Sequence, residues 1–128
     1  MHKSRLAGFI VDCQTGDLEG AAQFWSRALG FPLKDAASEP MSNYRELETG
    51  AGGLHIEVQQ VSHASRVHLD IEADDIEAEV KRLEALGAKR IQQICTWWVM
   101  EAPTGQRFCV VRIQQPESFA RNANSWDG

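Results

Sequence analysis

The residues best suited to chemistry lie in three short stretches of alternating character. In residues 54–59, Leu54, Ile56 and Val58 alternate with His55, Glu57 and Gln59; in residues 67–72, Val67, Leu69 and Ile71 alternate with His68, Asp70 and Glu72. Residues 9–14 set Phe9, Val11 and Cys13 against Ile10, Asp12 and Gln14. Successive side chains of a strand point to opposite faces, so each stretch predicts one apolar face and one face carrying ionisable groups. Imidazole and carboxylate groups on a common face suit proton transfer. His68 is then an acid or base, Asp12 a carboxylate that orients it, and Glu57 a general base once burial raises its pKa. We expect Asp12, Glu57 and His68 as catalytic candidates, with His55, Asp70 and Trp98 as ligand contacts in a shared cavity. The competing reading is a solvated strand face with His68 hydrogen-bonded beside Asp70.

These strands belong to a pattern that occurs twice. Asp17 precedes a helical stretch whose Leu18, Ala21, Ala22, Trp25 and Leu29 recur at helical spacing, and Gly30 stops it. Downstream, Asp74 with Glu77 three residues on reads as a capping box, Ile76, Val80, Leu83 and Leu86 form the apolar stripe, and Gly87 is the stop. Residues 31–35, 44–48 and 54–61 follow the first helix as strands, and residues 90–95, 97–101 and 107–113 follow the second. Turns are expected at Ser38-Glu39-Pro40, Gly50-Ala51-Gly52-Gly53 and Ala102-Pro103-Thr104-Gly105. The fold class is α+β, a βαβββ module occurring twice: module one about 6–61, module two about 66–113, in a single domain over 1–113. Residues 114–128 show no period and read as a loosely ordered C-terminal tail in which Phe119 and Trp126 could dock.

Composition narrows the function classes. The 128 residues fit one core, and 43% hydrophobic with 24% charged residues is the usual globular balance. Thirteen basic against eighteen acidic residues give a net charge of −5, which argues against nucleic acid and acidic membrane surfaces as partners. No apolar run approaches the roughly 20 residues that cross a bilayer. Cys13, Cys95 and Cys109 are odd in number and lack CxxC spacing, which suits reduced thiols; together with a start lacking a signal-peptide pattern, this makes the cytoplasm the expected compartment. Trp97 and Trp98 point to opposite faces, one for the core and one to stack on a planar ligand.

Three segments then resemble one family. Residues 16–31, GDLEGAAQFWSRALGF, are similar to the first helix of the vicinal oxygen chelate superfamily, which contains glyoxalase I, bleomycin-resistance proteins and extradiol dioxygenases. Arg66-Val67-His68-Leu69-Asp70-Ile71 with Ala73-Asp74-Asp75 resembles the start of its second module, and Ala102-Pro103-Thr104-Gly105-Gln106-Arg107-Phe108 its turn before the last strand. The likeness covers about residues 6–113 and is greatest to the glyoxalase-like domain branch. It implies half-barrel modules with a helix on each convex face, a small organic ligand in the cup, and a homodimer. The four ligand positions of metal-dependent members fall on Ile10, Glu57, His68 and Cys109. Isoleucine has no lone pair to donate and cysteine replaces a carboxylate, so no cofactor is the preferred expectation. A divalent metal held by Glu57, His68 and Cys109 is the alternative. The resemblance leaves three functions open: a small-molecule-binding protein without a complete catalytic metal site; a metal-dependent lyase, isomerase or dioxygenase-type enzyme using Glu57 and His68, or a metal-free one using Asp12 as well; and a regulatory or structural dimer with a vestigial cavity.

Overall fold

The structure, a computed structural model, describes residues 1–35, 43–50 and 52–127; the expected Ser38-Glu39-Pro40 turn and Ala51 lie outside them. The chain divides into two compact units, one of residues 9–67 and one of residues 1–8 with 68–128. The first strand, β1 (His2–Gln14), contributes to both.

In the 9–67 unit, α1 (Leu18–Leu29) begins where the Asp17 side chain accepts a hydrogen bond from Gly20 N at 3.0 Å and ends at Gly30, whose φ of 78° is open to glycine without a Cβ clash. Strands β2 (Tyr44–Leu47) and β3 (His55–Val61) pair antiparallel with Glu46 opposite Glu57, and β3 lies between β2 and β1. Ile10, Val11, Ala22, Leu47, Ile56 and Val58 are buried, so the apolar face expected of residues 54–59 does turn inward at Ile56 and Val58. The strand expected over residues 31–35 is reduced to a single bridge between Leu33 and Leu47. Pro32 has no N–H for a ladder and only its carbonyl is used, accepting from Glu48 N at 2.7 Å.

In the other unit, β4 (Arg66–Ala73) gives all but its first two residues. It runs parallel to β7 (Arg107–Val111), which pairs antiparallel with β6 (Trp97–Glu101), itself paired with edge strand β5 (Lys89–Ile94). Helix α2 (Ile76–Ala85) starts one residue later than expected. Asp75 caps it by accepting from Ala78 N at 3.1 Å, because Asp74 is already engaged by Lys3 N at 2.8 Å. Val80 and Leu83 of α2 pack on Ala73, Met100 and Val110, with Ile71, Ile76, Ala88, Trp98 and Phe108 around them.

The tail is ordered, contrary to the sequence reading. Pro116 opens a short helix, α3 (Pro116–Asn122), that buries Phe119, and β8 (Asn124–Trp126) pairs antiparallel with β1, His2 opposite Trp126. Trp126 Nε1 donates to Ser4 Oγ at 2.9 Å and lies under the Arg82 guanidinium at 3.9 Å. Such a short segment shows no period because its order comes from docking rather than from its own pattern. The turn into α3 is organised by Glu72, fully buried, which accepts from Arg5 Nε at 2.7 Å, Gln114 N at 2.7 Å and Gln115 N at 3.2 Å. Removing one partner of a buried ion pair strands the other, so Glu72→Ala is expected to lower the unfolding free energy by about 3 kcal/mol. Urea denaturation measures this; a loss below about 1 kcal/mol would show that Arg5 and the turn amides find other partners.

Candidate functional site

Strand register decides which side chains of the 1–8 and 68–128 unit share a face. Asp70 lies beside Cys109, and Cys109 beside Val99. Ile71, Phe108, Val110, Met100 and Trp98 alternate with these and pack toward α2, so His68, Asp70, Cys109, Val99 and Trp97 occupy the face turned away from the helix. On that face one nitrogen of His68, one carboxylate oxygen of Asp70 and the sulfur of Cys109 all lie within 4.8 Å of one another. His68 Nε2 stands 3.5 Å from Asp70 Oδ1, an ion-pair distance. Yet Asp70 is only 8% exposed and its Oδ1 is buried without a hydrogen bond. A buried carboxylate oxygen left unmatched is costly, and in folded proteins it points to a partner that completes the site.

Trp98 departs from its expected role. It is the tryptophan that enters the helix-side core, where the Arg90 guanidinium sits 5.0 Å above its ring, while Trp97 takes the face of Cys109. Asp70 was expected as a ligand contact but not as the neighbour of Cys109; strand alternation reveals its face, and only the parallel pairing of β4 with β7 reveals its neighbour. A groove of about 520 Å³ lined by Ala73, Asp74, Arg112, Ile113 and Gln114 contains none of these residues. Its Asp74 is occupied by Lys3 N, and the chemistry therefore favours the His68 cluster over this groove.

The 9–67 unit holds the remaining candidates in two other groupings. His55 is clasped between carboxylates, Nε2 at 2.7 Å from Glu57 Oε1 and Nδ1 at 3.2 Å from Glu46 Oε2, with Lys34 Nζ also 2.7 Å from Glu46. Burial disfavours the imidazolium, but hydrogen bonds and charge from Glu46 and Glu57 outweigh it and raise the His55 pKa to about 10. Burial likewise opposes the Glu46 carboxylate, and its bonds to His55 and Lys34 prevail, lowering its pKa to about 2. Both nitrogens of His55 are committed, which makes it an internal cation rather than a ligand donor, and Glu57 is its counter-charge. Glu46, absent from the sequence-derived candidates, is the third member; its position opposite Glu57 follows from the β2–β3 register. Asp12, 2% exposed on β1, faces Arg66 Nε at 3.7 Å.

Residues 8–111 match the glyoxalase-like domain family. The chain belongs to that family. Within the vicinal oxygen chelate fold it is similar to hypothetical protein BH1468 from Bacillus halodurans, at 13% identity and a TM-score of 0.62 over 87% of this chain and 95% of that one. It is also similar to a Streptomyces coelicolor methylmalonyl-CoA epimerase variant in complex with 2-nitronate-propionyl-CoA, at 14% identity and a TM-score of 0.53 over 86% and 94%. No curated protein matches the sequence significantly. At such identities the likeness establishes the fold, while activity has to be argued from the site. No helix among the described residues is long and apolar enough to cross a membrane.

The His55 clasp carries a pH signature. A raised histidine pKa adds stability that is whole below the unfolded value of about 6.5 and is lost as pH rises through the folded value. The lowered Glu46 pKa adds stability that is whole above about 4.3 and is lost as pH falls through its folded value. His55→Gln should therefore destabilise most near pH 5 to 6, with the difference from the unaltered protein shrinking toward pH 10 and toward pH 2. Thermal melts across that range test this; a difference that is flat with pH would mean His55 is neutral in the clasp.

Proposed function

We propose that the protein binds a small organic molecule on the face of β4, β7 and β6 turned away from α2. The observation that carries this reading is the meeting of His68, Asp70 and Cys109 beside half-buried Trp97 and Val99. A few converging polar groups in an otherwise apolar lining are what orient a small ligand. In this reading His68 and Asp70 anchor a polar group of the ligand, and the Trp97 ring supplies a flat apolar wall. In this reading the protein acts as a homodimer, as the family resemblance implies, in the cytoplasm, which its three free cysteines suit.

A second reading, an enzyme, is favoured by the approach of the His68 imidazole to a buried carboxylate, the arrangement of an acid–base pair. His68 would take or give the proton at Nε2 while Asp70 balances the charge. Asp12 and Glu57 belong to the 9–67 unit, where they face Arg66 and His55. The divalent metal common in the superfamily does not fit the four positions inherited from it, since Ile10 offers no lone pair and Glu57 is engaged by His55. It does fit the N, O and S donors of His68, Asp70 and Cys109, whose unmatched carboxylate oxygen calls for a cation. Bound there, an ion would supply Lewis-acid polarisation of a ligand oxygen.

A thermal-shift screen of small planar and carboxylate-bearing metabolites tests the binding reading. A true ligand at about 100 times its Kd stabilises the fold by about 2.7 kcal/mol. His68→Ala and Trp97→Ala should remove most of that shift at little cost to the unliganded protein. Trp98→Ala should lose about 3 kcal/mol of stability through the core and keep the shift. A screen with no stabilising compound, or a shift untouched by both face variants, would overturn the proposal.

A further inference from the structure

We infer that His68, Asp70 and Cys109 form a thiolate-bearing site selective for zinc-class ions, contained entirely in the unit of residues 1–8 and 68–128. The site lies on the face assigned above to an organic ligand, but it does not depend on that ligand.

Three observations carry the inference. The three donors are of types whose combination, imidazole, carboxylate and thiolate, suits a borderline-soft ion and not magnesium or calcium, which take oxygen ligands. A tetrahedral ion with bonds of about 2.0–2.3 Å holds its ligand atoms roughly 3.3–3.8 Å apart. His68 Nε2 and Asp70 Oδ1 already stand at 3.5 Å, and the whole set lies within 4.8 Å, so small side-chain rotations close it. The Asp70 side chain is 12% exposed, and its buried Oδ1 makes no hydrogen bond and faces the His68 imidazole at 3.5 Å, so a cation shared by the two would satisfy it.

The charges also balance. Neutral His68, ionised Asp70 and the Cys109 thiolate neutralise a divalent ion, the thiol proton leaving to solvent, and three protein ligands leave the fourth tetrahedral position open. Selection for soft ions follows from Cys109 occupying a position where a carboxylate would accept harder ones.

The test uses the full chain purified without a metal-affinity tag, stripped with chelator and titrated with zinc, cobalt(II) or magnesium chloride. We expect one zinc per chain, release of about one proton per ion at neutral pH, a thiolate-to-cobalt charge-transfer band in the near ultraviolet, and no response to magnesium. Cys109→Ser should abolish the band. Cys109→Ser, Asp70→Asn and His68→Ala should each weaken zinc binding about tenfold or more. Cys95→Ser, which alters an exposed thiol at the β5–β6 turn, should change neither. Asp70→Asn preserves shape and carries the test if another variant fails to fold. Absence of stoichiometric zinc, a band that survives Cys109→Ser, or equal affinity for magnesium would overturn the inference. Failure of the organic-ligand screen with zinc bound would overturn the binding proposal and leave the metal site standing.

Discussion

The parallel pairing of β4 with β7 is the constraint on which the candidate site depends. Two strands distant in sequence are held in one register, and that register gives every residue its neighbour and its face at once. Because α2 must bury Val80 and Leu83, the strand faces that meet it are apolar, and the side chains of opposite parity are turned away together. His68, Asp70 and Cys109 are thus gathered by packing on the far side of the sheet as much as by any attraction of their own. A shift of β7 by one residue would send Cys109 into the core and bring Phe108 or Val110 out beside Asp70.

The buried charges of the chain divide by whether they are matched. Glu72 is met by Arg5 and two backbone amides, Glu79 by His2 and both ends of the Arg82 fork, and His55 by two carboxylates. Each has enough donors or counter-charge to offset its loss of water, and Glu72 and Glu79 tie together segments far apart in sequence. Asp70 is less well met, since its buried Oδ1 makes no hydrogen bond and faces the His68 imidazole at 3.5 Å. A structural carboxylate is normally satisfied by its own fold; one that is not is poised for something from outside.

Membership in the glyoxalase-like family and the site chemistry rest on different physics. The fold, with capped helices packed on strand faces, is shared with structures of 13–14% identity because periodicity and packing tolerate extensive replacement of side chains. The donor set does not tolerate it in the same way. Ile10 removes a ligand outright, Cys109 changes hardness, and Glu57 is taken up by His55, so the chemistry here has to be read from this chain's own contacts.

The sequence alone determined most of the elements and the inward turn of Ile56, Val58, Val80 and Leu83, because helical and strand periods are local; Val67 and Leu69, expected on an inward face, are exposed instead. From it came the cap at Asp17, a second cap expected at Asp74 and found at Asp75, the stops at Gly30 and Gly87, the duplicated strand-and-helix pattern, the family and the alternation that set His68 with Asp70. Tertiary structure decided what meets across strands: Asp70 with Cys109, Glu46 with His55, Trp97 rather than Trp98 on the open face, and the folding of the C-terminal segment back onto β1. Those contacts depend on register and on docking between separate segments of the chain, and no local period encodes such pairings.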